Sequence, residues 1–367
     1  MSSAARPLVL GTLRACGLMG LWRRRHRDSV AVLMLHGVMD TGDGPAWTPL
    51  RDRVSRRALE RSLETLSRHY RFVSWSEAAE IIAGRRPPRA HSLVLTFDDG
   101  YRNNLTHALP VLRRFSAPMT VFVPTGKIER RSLFAFDRLD YALQAVPGGE
   151  VTLQVDGFRH TLRLEPRAAL VDSFSRLRGA LKDRLGADLE YAPLVNALVA
   201  QCEERAGRSL EALKETDDWS ALLSWEDVAS LAREPDVEIG SHSVDHTRLG
   251  LADLDTARRE LRESKAELER RTGRPCRHLA YPNGSWSPAV ARIALEEGYA
   301  SALGTEGGLN PVGHEPMAMR RIGVPPEVGS TELLAFASGL SDAISALKAR
   351  ALGGGQGGAI RAGAGPV

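Results

Sequence analysis

The chain has 367 residues, of which 43% are hydrophobic and 26% charged, and its formal net charge is +4. This composition provides enough apolar side chains for one large domain or two ordinary ones, and it excludes a wholly disordered, collagen-like or coiled-coil chain. The positive charge lies at the ends of the chain, because residues 1–28 contain six Arg and one Asp while residues 29–347 are net acidic. We therefore expect no nucleic-acid partner.

The N-terminal segment 1–28 combines apolar and basic residues. Residues 8–22 are mostly apolar, but as a helix with a rise of about 1.5 Å per residue they are too short to cross a bilayer core of about 30 Å. The basic cluster 23–27 follows the apolar run, whereas a signal peptide has its basic residues first. Two interpretations remain equally open: residues 6–27 contact an anionic membrane surface, or they pack on the body as a terminal helix.

The three cysteines, Cys16, Cys202 and Cys276, are far apart and odd in number. They form no disulfide framework and no CxxC metal pair. Isolated thiols are typical of a reducing compartment, so we expect a cytoplasmic or peripherally membrane-associated protein rather than a secreted one.

Short apolar strands alternate with helices along most of the chain. In chain order, we predict strands over 30–35, 71–74, 92–97, 119–123, 235–241, 278–281 and 300–303, and helices over 55–69, up to about 84, 104–115, 253–272 and 288–297. Polar residues cluster where these strands end. This alternation indicates an α/β fold, in which parallel strands bring such residues together at one edge.

Residues 127–222 interrupt the alternation. Two strands joined by Asp156-Gly157 predict a β-hairpin, since this dipeptide favours a tight turn, and two amphipathic helical stretches follow. We interpret 127–222 as an inserted α+β subdomain. The main domain is then discontinuous, over 29–126 and 223–335, and the Gly-rich tail 350–367 is expected to be flexible.

Two short strings carry most of the chemistry. Asp98 and Asp99 directly follow a buried strand and precede Gly100. On an extended backbone adjacent side chains point to opposite sides, so both carboxylates can act in one pocket only if the strand end breaks. A helix cap or turn is the alternative explanation of this pair.

The second string contains His242 and His246. If the chain turns helical there, histidines four residues apart face the same way, a spacing suited to one metal ion. A solvated helix face is the alternative explanation, but the presence of both strings at the ends of predicted strands favours the functional one. Two imidazoles and one carboxylate leave an open position for water, as is typical of catalytic zinc.

The sequence resembles the polysaccharide deacetylase (NodB homology) family of carbohydrate esterases. The similarity extends from about residue 30 to 325 outside the insertion, and it is specific through the order and spacing of several strings together. These are Leu35-His36-Gly37-Val38, Thr96-Phe97-Asp98-Asp99-Gly100, residues 117–123, Leu223-Ser224-Trp225, residues 238–246 and Ala280-Tyr281-Pro282-Asn283-Gly284.

The resemblance implies a distorted (β/α) barrel of about seven strands and metal-dependent removal of acetyl groups from sugars. It implies that Asp99, His242 and His246 are ligands of a divalent metal, with Zn²⁺ the best candidate. Asp98 then corresponds to the general base, and the backbone N–H of Asn283 to a contact that stabilises the oxyanion.

His36 corresponds to a histidine found in one branch of the family, and we assign it to contact with the substrate or with one of the metal-ligating side chains. Tyr281 and Trp286 are further candidate substrate contacts, because aromatic faces suit the apolar faces of sugars, although core packing explains Trp286 equally well. The histidine that acts as general acid in the family has no clear counterpart. His314 lies in the corresponding region without a motif around it.

The sequence departs from the family pattern at two further positions. Ala280 stands where many members have an arginine that braces the catalytic Asp, and Asn283 replaces an aromatic residue. Arg320 and Arg321 are candidates for contact with an acidic sugar or a lipid phosphate, or for pairing with surface acids.

The expected function is therefore metal-dependent removal of N-acetyl groups from an N-acetylhexosamine-containing polysaccharide or glycolipid. Two alternatives remain: an O-acetyl sugar esterase on the same fold, and a non-catalytic glycan-binding or assembly protein on a decayed deacetylase fold.

Overall fold

An eight-stranded parallel sheet occupies the centre of the structure, a computed structural model that describes residues 5–39, 47–51, 53–325 and 327–352. The strands are β1 (Ala31–Leu35), β2 (Val38–Met39), β3 (Val54–Ser55), β4 (Arg71–Phe72), β5 (Ser92–Phe97), β6 (Met119–Val123), β7 (Glu150–Val155), β8 (Phe158–Arg163), β9 (Val237–Ser241), β10 (His278–Ala280), β11 (Ser301–Leu303) and β12 (Ile322–Gly323). The order in the central sheet is β11-β10-β9-β6-β5-β1-β12, with β4 beside β5, while β2 pairs with β3 and β7 with β8.

The central sheet curls so that its two edges are joined through one segment. Met319 forms a parallel bridge with Leu303 at the end of β11, and the chain then enters β12, which pairs with β1. The ring of parallel strands is a distorted (β/α) barrel, which confirms the predicted fold class. As in other barrels, the carboxyl ends of the strands lie at one rim.

Helices cover the outside of the sheet. They are α1 (Ala5–Ala15), α2 (Leu18–Arg25), α3 (Arg56–Ser67), α4 (Trp75–Ile82), α5 (Leu109–Arg114), α6 (Thr125–Arg130), α7 (Ala135–Leu143), α8 (Arg167–Arg184), α9 (Pro193–Ala206), α10 (Trp225–Arg233), α11 (Leu254–Thr272), α12 (Pro288–Glu296), α13 (Ser330–Ala337) and α14 (Leu340–Leu352). A π-helical turn, Asn104–Ala108, precedes α5. Polar caps fix several helix starts: Ser55 caps α3, Asp253 caps α11, and Ser224 forms a capping box with Asp227 at α10.

Two clusters of buried apolar side chains lie in different parts of the chain. The larger fills the space between the central sheet and its helices, with Leu63, Leu95 and Val121 among its members. A second cluster, which includes Leu50, is otherwise built from α7, α8, α9, the β7–β8 hairpin and the segments that join them. The hairpin turns at Asp156 and Gly157, both with positive φ, as Asp-Gly turns require.

The N-terminal segment forms two short helices that pack on the body. They are separated at Gly17, whose φ is 77°. Leu10 and Met19 are buried in the main core, and the Trp22 indole donates a hydrogen bond to the Ser338 carbonyl at 2.9 Å. No helix in the described part of the chain is both long and apolar enough to cross a bilayer. Of the tail predicted to be flexible, residues 353–367 lie outside the described residues.

Candidate active site

The chemically distinctive side chains meet at the carboxyl rim of the barrel. His36 follows β1, Asp98 and Asp99 follow β5, and His242 follows β9. These four side chains line one pocket, together with His246 and Asn283. Strands that are far apart in the sequence are neighbours in the sheet, so residues separated by more than 200 positions share one site.

The two adjacent carboxylates face this pocket because the backbone breaks at the end of β5. Asp99 has a φ of 73° and Gly100 a φ of 66°, so the extended conformation ends with Phe97. A positive φ is unfavourable for a non-glycine residue, and such strain is concentrated at functional sites. The break allows Asp98 and Asp99 to line the same cavity instead of pointing to opposite sides of the strand.

The segment Ser241–His246, here called the histidine loop, is not helical. Ser243 and His246 have φ values of 63° and 58°, which belong to the left-handed region. The predicted helical i, i+4 geometry is therefore wrong, and an irregular turn brings His242 and His246 together. Their ring centroids are 4.9 Å apart.

Two elements of the barrel hold the histidine loop in place. The Glu260 carboxylate, on α11, accepts hydrogen bonds from the backbone N–H groups of Val244 and Asp245 at 3.0 and 2.9 Å. At the start of α6, the backbone N–H of Gly126 donates to the Val244 carbonyl at 2.8 Å. A side chain at Gly126 would not fit, since its Cβ would lie 2.6 Å from the Asp245 carboxylate.

Asp99, His242 and His246 present one ligand atom each within 4.8 Å of one another. The Asp99 carboxylate oxygen lies 3.5 Å from Nε2 of His242 and 3.4 Å from Nε2 of His246. Nδ1 of His242 donates to the Ala280 carbonyl at 2.8 Å, which turns Nε2 of the same ring toward Asp99. The donor set and the orientation therefore fit a divalent cation, as the sequence predicts.

The charge state of these groups follows from their burial and mutual contacts. Burial lowers the pKa of His246 to about 3, which keeps its imidazole neutral. Burial acts against the charged forms of Asp99 and His242 as well. It is outweighed for Asp99 by the neighbouring histidines and for His242 by Asp98 and Asp99, so that the pKa of Asp99 lies well below its ordinary value and the pKa of His242 is raised. To hold a divalent cation, His242 would have to be neutral with Nε2 unprotonated, so metal binding at this site would be coupled to the loss of a proton.

Asp98 is held by a buried arginine from the opposite end of the chain. Arg321 is fully buried and forms two parallel hydrogen bonds to Asp98, each of 2.7 Å, while its Nε donates to the Gly304 carbonyl at 2.8 Å. Burial raises the pKa of the Asp98 carboxyl, but Arg321 outweighs it and holds that pKa below its ordinary value. The bidentate contact thus keeps Asp98 ionised and fixes its orientation.

Arg321 corrects two expectations from the sequence. Ala280 does occupy the position where a bracing arginine was expected, but the brace is present and comes from the segment that enters β12. The interpretation of Arg321 as a contact for a sugar, a phosphate or surface acids is wrong, because the side chain is buried against Asp98. Its exposed neighbour Arg320 has no such contact, and the pair Arg320-Arg321 contains no pattern that distinguishes the two.

The segment 127–222 forms one wall of the pocket. The described lining residues from this segment are Phe134, Phe136, Arg178, Lys182, Leu189 and Glu190. Glu190 pairs with buried Lys127 at 3.2 Å, and its other oxygen lies 3.9 Å from Nδ1 of His246. No motif in the sequence indicates these contacts, because the wall residues lie outside the strings that resemble the family.

His36 and Asn283 complete the pocket. Burial lowers the pKa of His36, opposed by Asp99 and Asp98, so its imidazole is mostly neutral at neutral pH. Asn283 has a φ of 54°, and its buried Nδ2 has no hydrogen-bond partner among the described residues. Both therefore offer polar atoms to a ligand.

Three other candidates lie away from the described pocket lining. Tyr281 is fully buried, donates its hydroxyl to the Met317 carbonyl at 3.1 Å and stacks on Trp286. The Trp286 indole donates to Glu306 at 3.3 Å. The His314 imidazole lies 3.0 Å from the Ala318 carbonyl, so none of the three is placed beside Asp98 or Asp99.

Comparison with known families identifies the family to which the chain belongs. The sequence profile described as polysaccharide deacetylase matches residues 85–192 and 195–302, which together are more than half of the chain. The chain belongs to the polysaccharide deacetylase family. The family resemblance derived from the sequence is thereby confirmed, and the chain is an enzyme of this class.

Solved structures of similar fold include several deacetylases. The Streptococcus pyogenes deacetylase PplD, in complex with acetate, has a TM-score of 0.55 and 16% identity, and the match covers 84% of this chain and 98% of that chain. IcaB from Ammonifex degensii has a TM-score of 0.53 and 19% identity, with 85% and 97% covered. A de-N-acetylase from Aggregatibacter actinomycetemcomitans has a TM-score of 0.50 and 14% identity, with 82% and 97% covered. At these identities the similarity concerns the fold, and no curated protein matches the deacetylase significantly.

Proposed function

We propose that this deacetylase hydrolyses N-acetyl groups on an N-acetylhexosamine-containing polysaccharide or glycolipid. The observation that supports this best is the pairing of two differently held carboxylates in one pocket. Asp98 is braced by Arg321, whereas Asp99 faces two histidines. Two adjacent carboxylates in such different environments are suited to different tasks, one as a base and one as a ligand.

Asp99, His242 and His246 would hold the divalent cation, and zinc fits a set of two imidazoles and one carboxylate. When bound, such a cation lowers the pKa of water from 15.7 to about 7 and polarises a carbonyl oxygen. The protein's part is to present the two Nε2 atoms and one carboxylate oxygen with their lone pairs converging. The hydrogen bond from His242 to Ala280 fixes one of these imidazoles in the required tautomer.

In this proposal Asp98 takes the proton from the attacking water. Its carboxylate is ionised because Arg321 lowers its pKa, and the bidentate contact holds it in one orientation. A positioned general base of this kind contributes about 10²–10⁴-fold to the rate. The backbone N–H of Asn283 then stabilises the negative charge that develops on the acetyl oxygen.

The leaving amine needs a proton, and we assign its delivery to His36, which also contacts the substrate. Among the described residues that line the pocket, His36 is the imidazole outside the metal triad. It is mostly neutral at rest, so in this proposal the proton that Asp98 removes from the water passes to the His36 imidazole and from there to the leaving amine, which leaves both groups as they began. His314 is unsuited to this task because its ring is directed at Ala318.

Acetate release from matched N-acetylated and O-acetylated oligosaccharides tests the reaction. We expect release from the N-acetylated substrate, its loss on chelation and its return on addition of zinc. Asp98→Asn should lower kcat by about 10²–10⁴-fold with the metal content unchanged. Release from the O-acetylated substrate alone would replace this proposal with the esterase alternative, and a metal-free, inert protein would indicate a non-catalytic role in glycan binding or assembly.

We also propose that residues 6–27 contact an anionic membrane surface from the cytoplasmic side, while packing on the body. Leu18 and Leu21 on α2 are 50% and 63% exposed, and Arg23, Arg24 and Arg25 follow in the same helix. Exposed apolar side chains beside cationic ones are typical of interfacial helices.

Vesicle sedimentation tests this contact. We expect binding to vesicles that contain phosphatidylglycerol, weak binding to phosphatidylcholine alone, and loss of binding in the Leu18→Ser, Leu21→Ser double variant. These two side chains are better targets than deletion of the segment, because Leu10 and Met19 belong to the main core. Equal binding of the double variant and the wild type would contradict the proposal.

A further inference from the structure

A cleft of about 570 Å³, here called the basic cleft, lies between the N-terminal helices and the body of the protein. Its described lining residues are Arg14, Gly17, Met19, Gly20, Arg23, His69, Leu334 and Ser338. They belong to α1, α2 and α13 and to the residues that adjoin these helices and α3. No Asp or Glu is among these lining residues, and no step of the proposed hydrolysis uses them.

The basic cleft lies at the end of the barrel opposite the active site. Arg23 precedes β1 and His69 precedes β4, so both lie toward the amino ends of the parallel strands, whereas the metal triad lies at the carboxyl ends. Between α2 and β1, the Arg27 carbonyl accepts a hydrogen bond of 2.6 Å from the backbone N–H of His91, which precedes β5. A ligand in the basic cleft therefore leaves the active-site pocket open to solution.

The two arginines of the basic cleft are not paired with a carboxylate of the described residues. The Arg14 guanidinium donates to the Thr331 hydroxyl at 2.7 Å. Arg23 forms no ion pair with a described residue, and its buried Nε has no hydrogen-bond partner there. Burial lowers the pKa of His69, and the nearby Arg23 and Arg14 lower it further. The cleft thus holds two positive charges and a neutral imidazole close together.

The position of Arg23 is fixed by its neighbours in α2. Met19 lies one turn earlier on the same face and is buried in the main core. The adjacent Trp22 indole is bonded to the carbonyl of Ser338, which itself lines the cleft. By contrast, Arg24 and Arg25 are exposed and do not line the cleft. Of three consecutive arginines, one is therefore placed in a defined site, as recognition of a ligand requires.

We infer that the basic cleft binds the terminal phosphate of a phosphomonoester lipid such as phosphatidic acid. This inference rests on the proposed membrane contact of residues 6–27 and specifies the headgroup that this contact recognises. A phosphomonoester carries a charge of about −1.5 to −2 at pH 7, which matches two guanidiniums better than the single charge of a phosphodiester. The exposed Leu18 and Leu21 lie on the same helix, so their insertion brings headgroups to the cleft.

Sedimentation with three kinds of vesicle tests the inference. One consists of phosphatidylcholine alone, and the other two contain added phosphatidic acid or phosphatidylglycerol at mole fractions that give equal surface charge. For the wild type we expect the affinity for phosphatidic acid vesicles to exceed that for phosphatidylglycerol vesicles by about 10-fold or more, the effect of one further charged hydrogen bond.

The Arg23→Gln variant and its control Arg24→Gln remove the same charge from the same helix. We expect Arg23→Gln to lose about 10–100-fold in affinity for phosphatidic acid vesicles and most of the preference over phosphatidylglycerol. Arg24→Gln should lose about 5-fold on both anionic vesicles and keep the preference, because an exposed arginine adds only general attraction. The unfolding free energy of Arg23→Gln should not fall, since the change removes a cation that repels its neighbours.

A second variant, Gly20→Gln, obstructs the basic cleft without a change of charge. A Cβ at Gly20 would meet no heavy atom within 4 Å, so a side chain there is accommodated at the cleft. We expect this variant to lose the preference for phosphatidic acid. Gly11→Gln is the matched control, because Gly11 lies in α1, is exposed, has equal space for a side chain and does not line the cleft.

Calorimetry with glycerol 3-phosphate distinguishes a lipid from a soluble phosphate. We expect it to bind the wild type far more weakly than phosphatidic acid vesicles do, and binding of equal affinity would overturn the assignment to a lipid. Equal affinity for the two anionic vesicles, or equal losses in Arg23→Gln and Arg24→Gln, would overturn the inference while the membrane contact stands. Sedimentation with none of the vesicles would overturn the membrane contact and the inference together.

Discussion

The barrel rim and the wall from segment 127–222 contribute to the pocket in different ways. The rim supplies side chains that follow strand ends, with positions fixed by parallel pairing and by backbone breaks such as that at Asp99. The wall supplies Arg178, Lys182 and Glu190 from a helix and a loop with a separate apolar core. The rim supplies the side chains of the proposed reaction, and the wall encloses the pocket from one side.

This difference explains why the sequence predicts pocket residues at the rim and none in the wall. Residues at strand ends form short strings such as Thr96-Phe97-Asp98-Asp99-Gly100, because neighbouring positions must break the strand and face one cavity. Two of the wall residues, Arg178 and Lys182, are spaced along α8 among ordinary surface charges. Arg176 and Arg178 are two residues apart, yet only Arg178 lines the pocket.

The largest effect on stability at the rim is expected for Arg321→Gln. Removing one partner of a buried ion pair leaves Asp98 uncompensated, which should lower the free energy of unfolding by about 3–5 kcal/mol. The variant should also lose about 10–100-fold in kcat, as for other residues that orient a functional group. Denaturant unfolding and acetate release measure the two effects.

Arg320→Gln is the control for Arg321, since Arg320 is the adjacent, exposed arginine. Its unfolding free energy and its kcat should both remain close to the wild-type values. Equal effects of the two substitutions on stability and kcat would show that the buried ion pair between Arg321 and Asp98 contributes to neither. The position of Asp98 at the rim would then not depend on that pair.

A smaller effect on catalysis is expected for Glu190→Gln, which lies in the wall and faces the rim. Loss of the Glu190 charge leaves the buried Lys127 ammonium unpaired and removes a carboxylate 3.9 Å from His246. We expect a lower unfolding free energy and zinc affinity reduced by up to about 10-fold. Metal titration followed by activity gives the affinity.

The Lys127→Met, Glu190→Gln double variant separates the two consequences of that change. Replacing the unpaired ammonium by an apolar side chain of similar length should restore much of the stability. The zinc affinity should stay low, because the carboxylate beside His246 is still missing. Full recovery of both properties would contradict a role of Glu190 toward the histidine.

The sequence predicted the central strands more accurately than the geometry of the site. Ser92–Phe97 and Met119–Val123 begin and end as predicted, because continuous apolar runs bounded by polar residues define buried parallel strands. The structure does bring the predicted ligands Asp99, His242 and His246 together, but the helical geometry expected for the two histidines is wrong. Left-handed residues Ser243 and His246, held by Glu260 and α6, replace the expected helix.

The contact between Arg321 and Asp98 could not be predicted from the sequence, for a different reason. Its pairing with Asp98 spans 223 positions and depends on how the segment after Met319 joins the two sheet edges. The spacing of residues within a short motif contains no information on how the two edges of the sheet are joined. The burial of Tyr281 could not be predicted from short-range spacing either. Its motif suggests a substrate contact, but its side chain lies in the core.

The central claim is that one metal site at the barrel rim makes this protein a hydrolase of acetylated glycans. Metal analysis combined with acetate release from an N-acetylated oligosaccharide tests it most directly, on the wild type, His242→Ala and the control His314→Ala. We predict about one zinc per chain and acetate release for the wild type and the control, and neither for His242→Ala. Full metal content in His242→Ala, or undiminished acetate release after complete chelation, would contradict the claim.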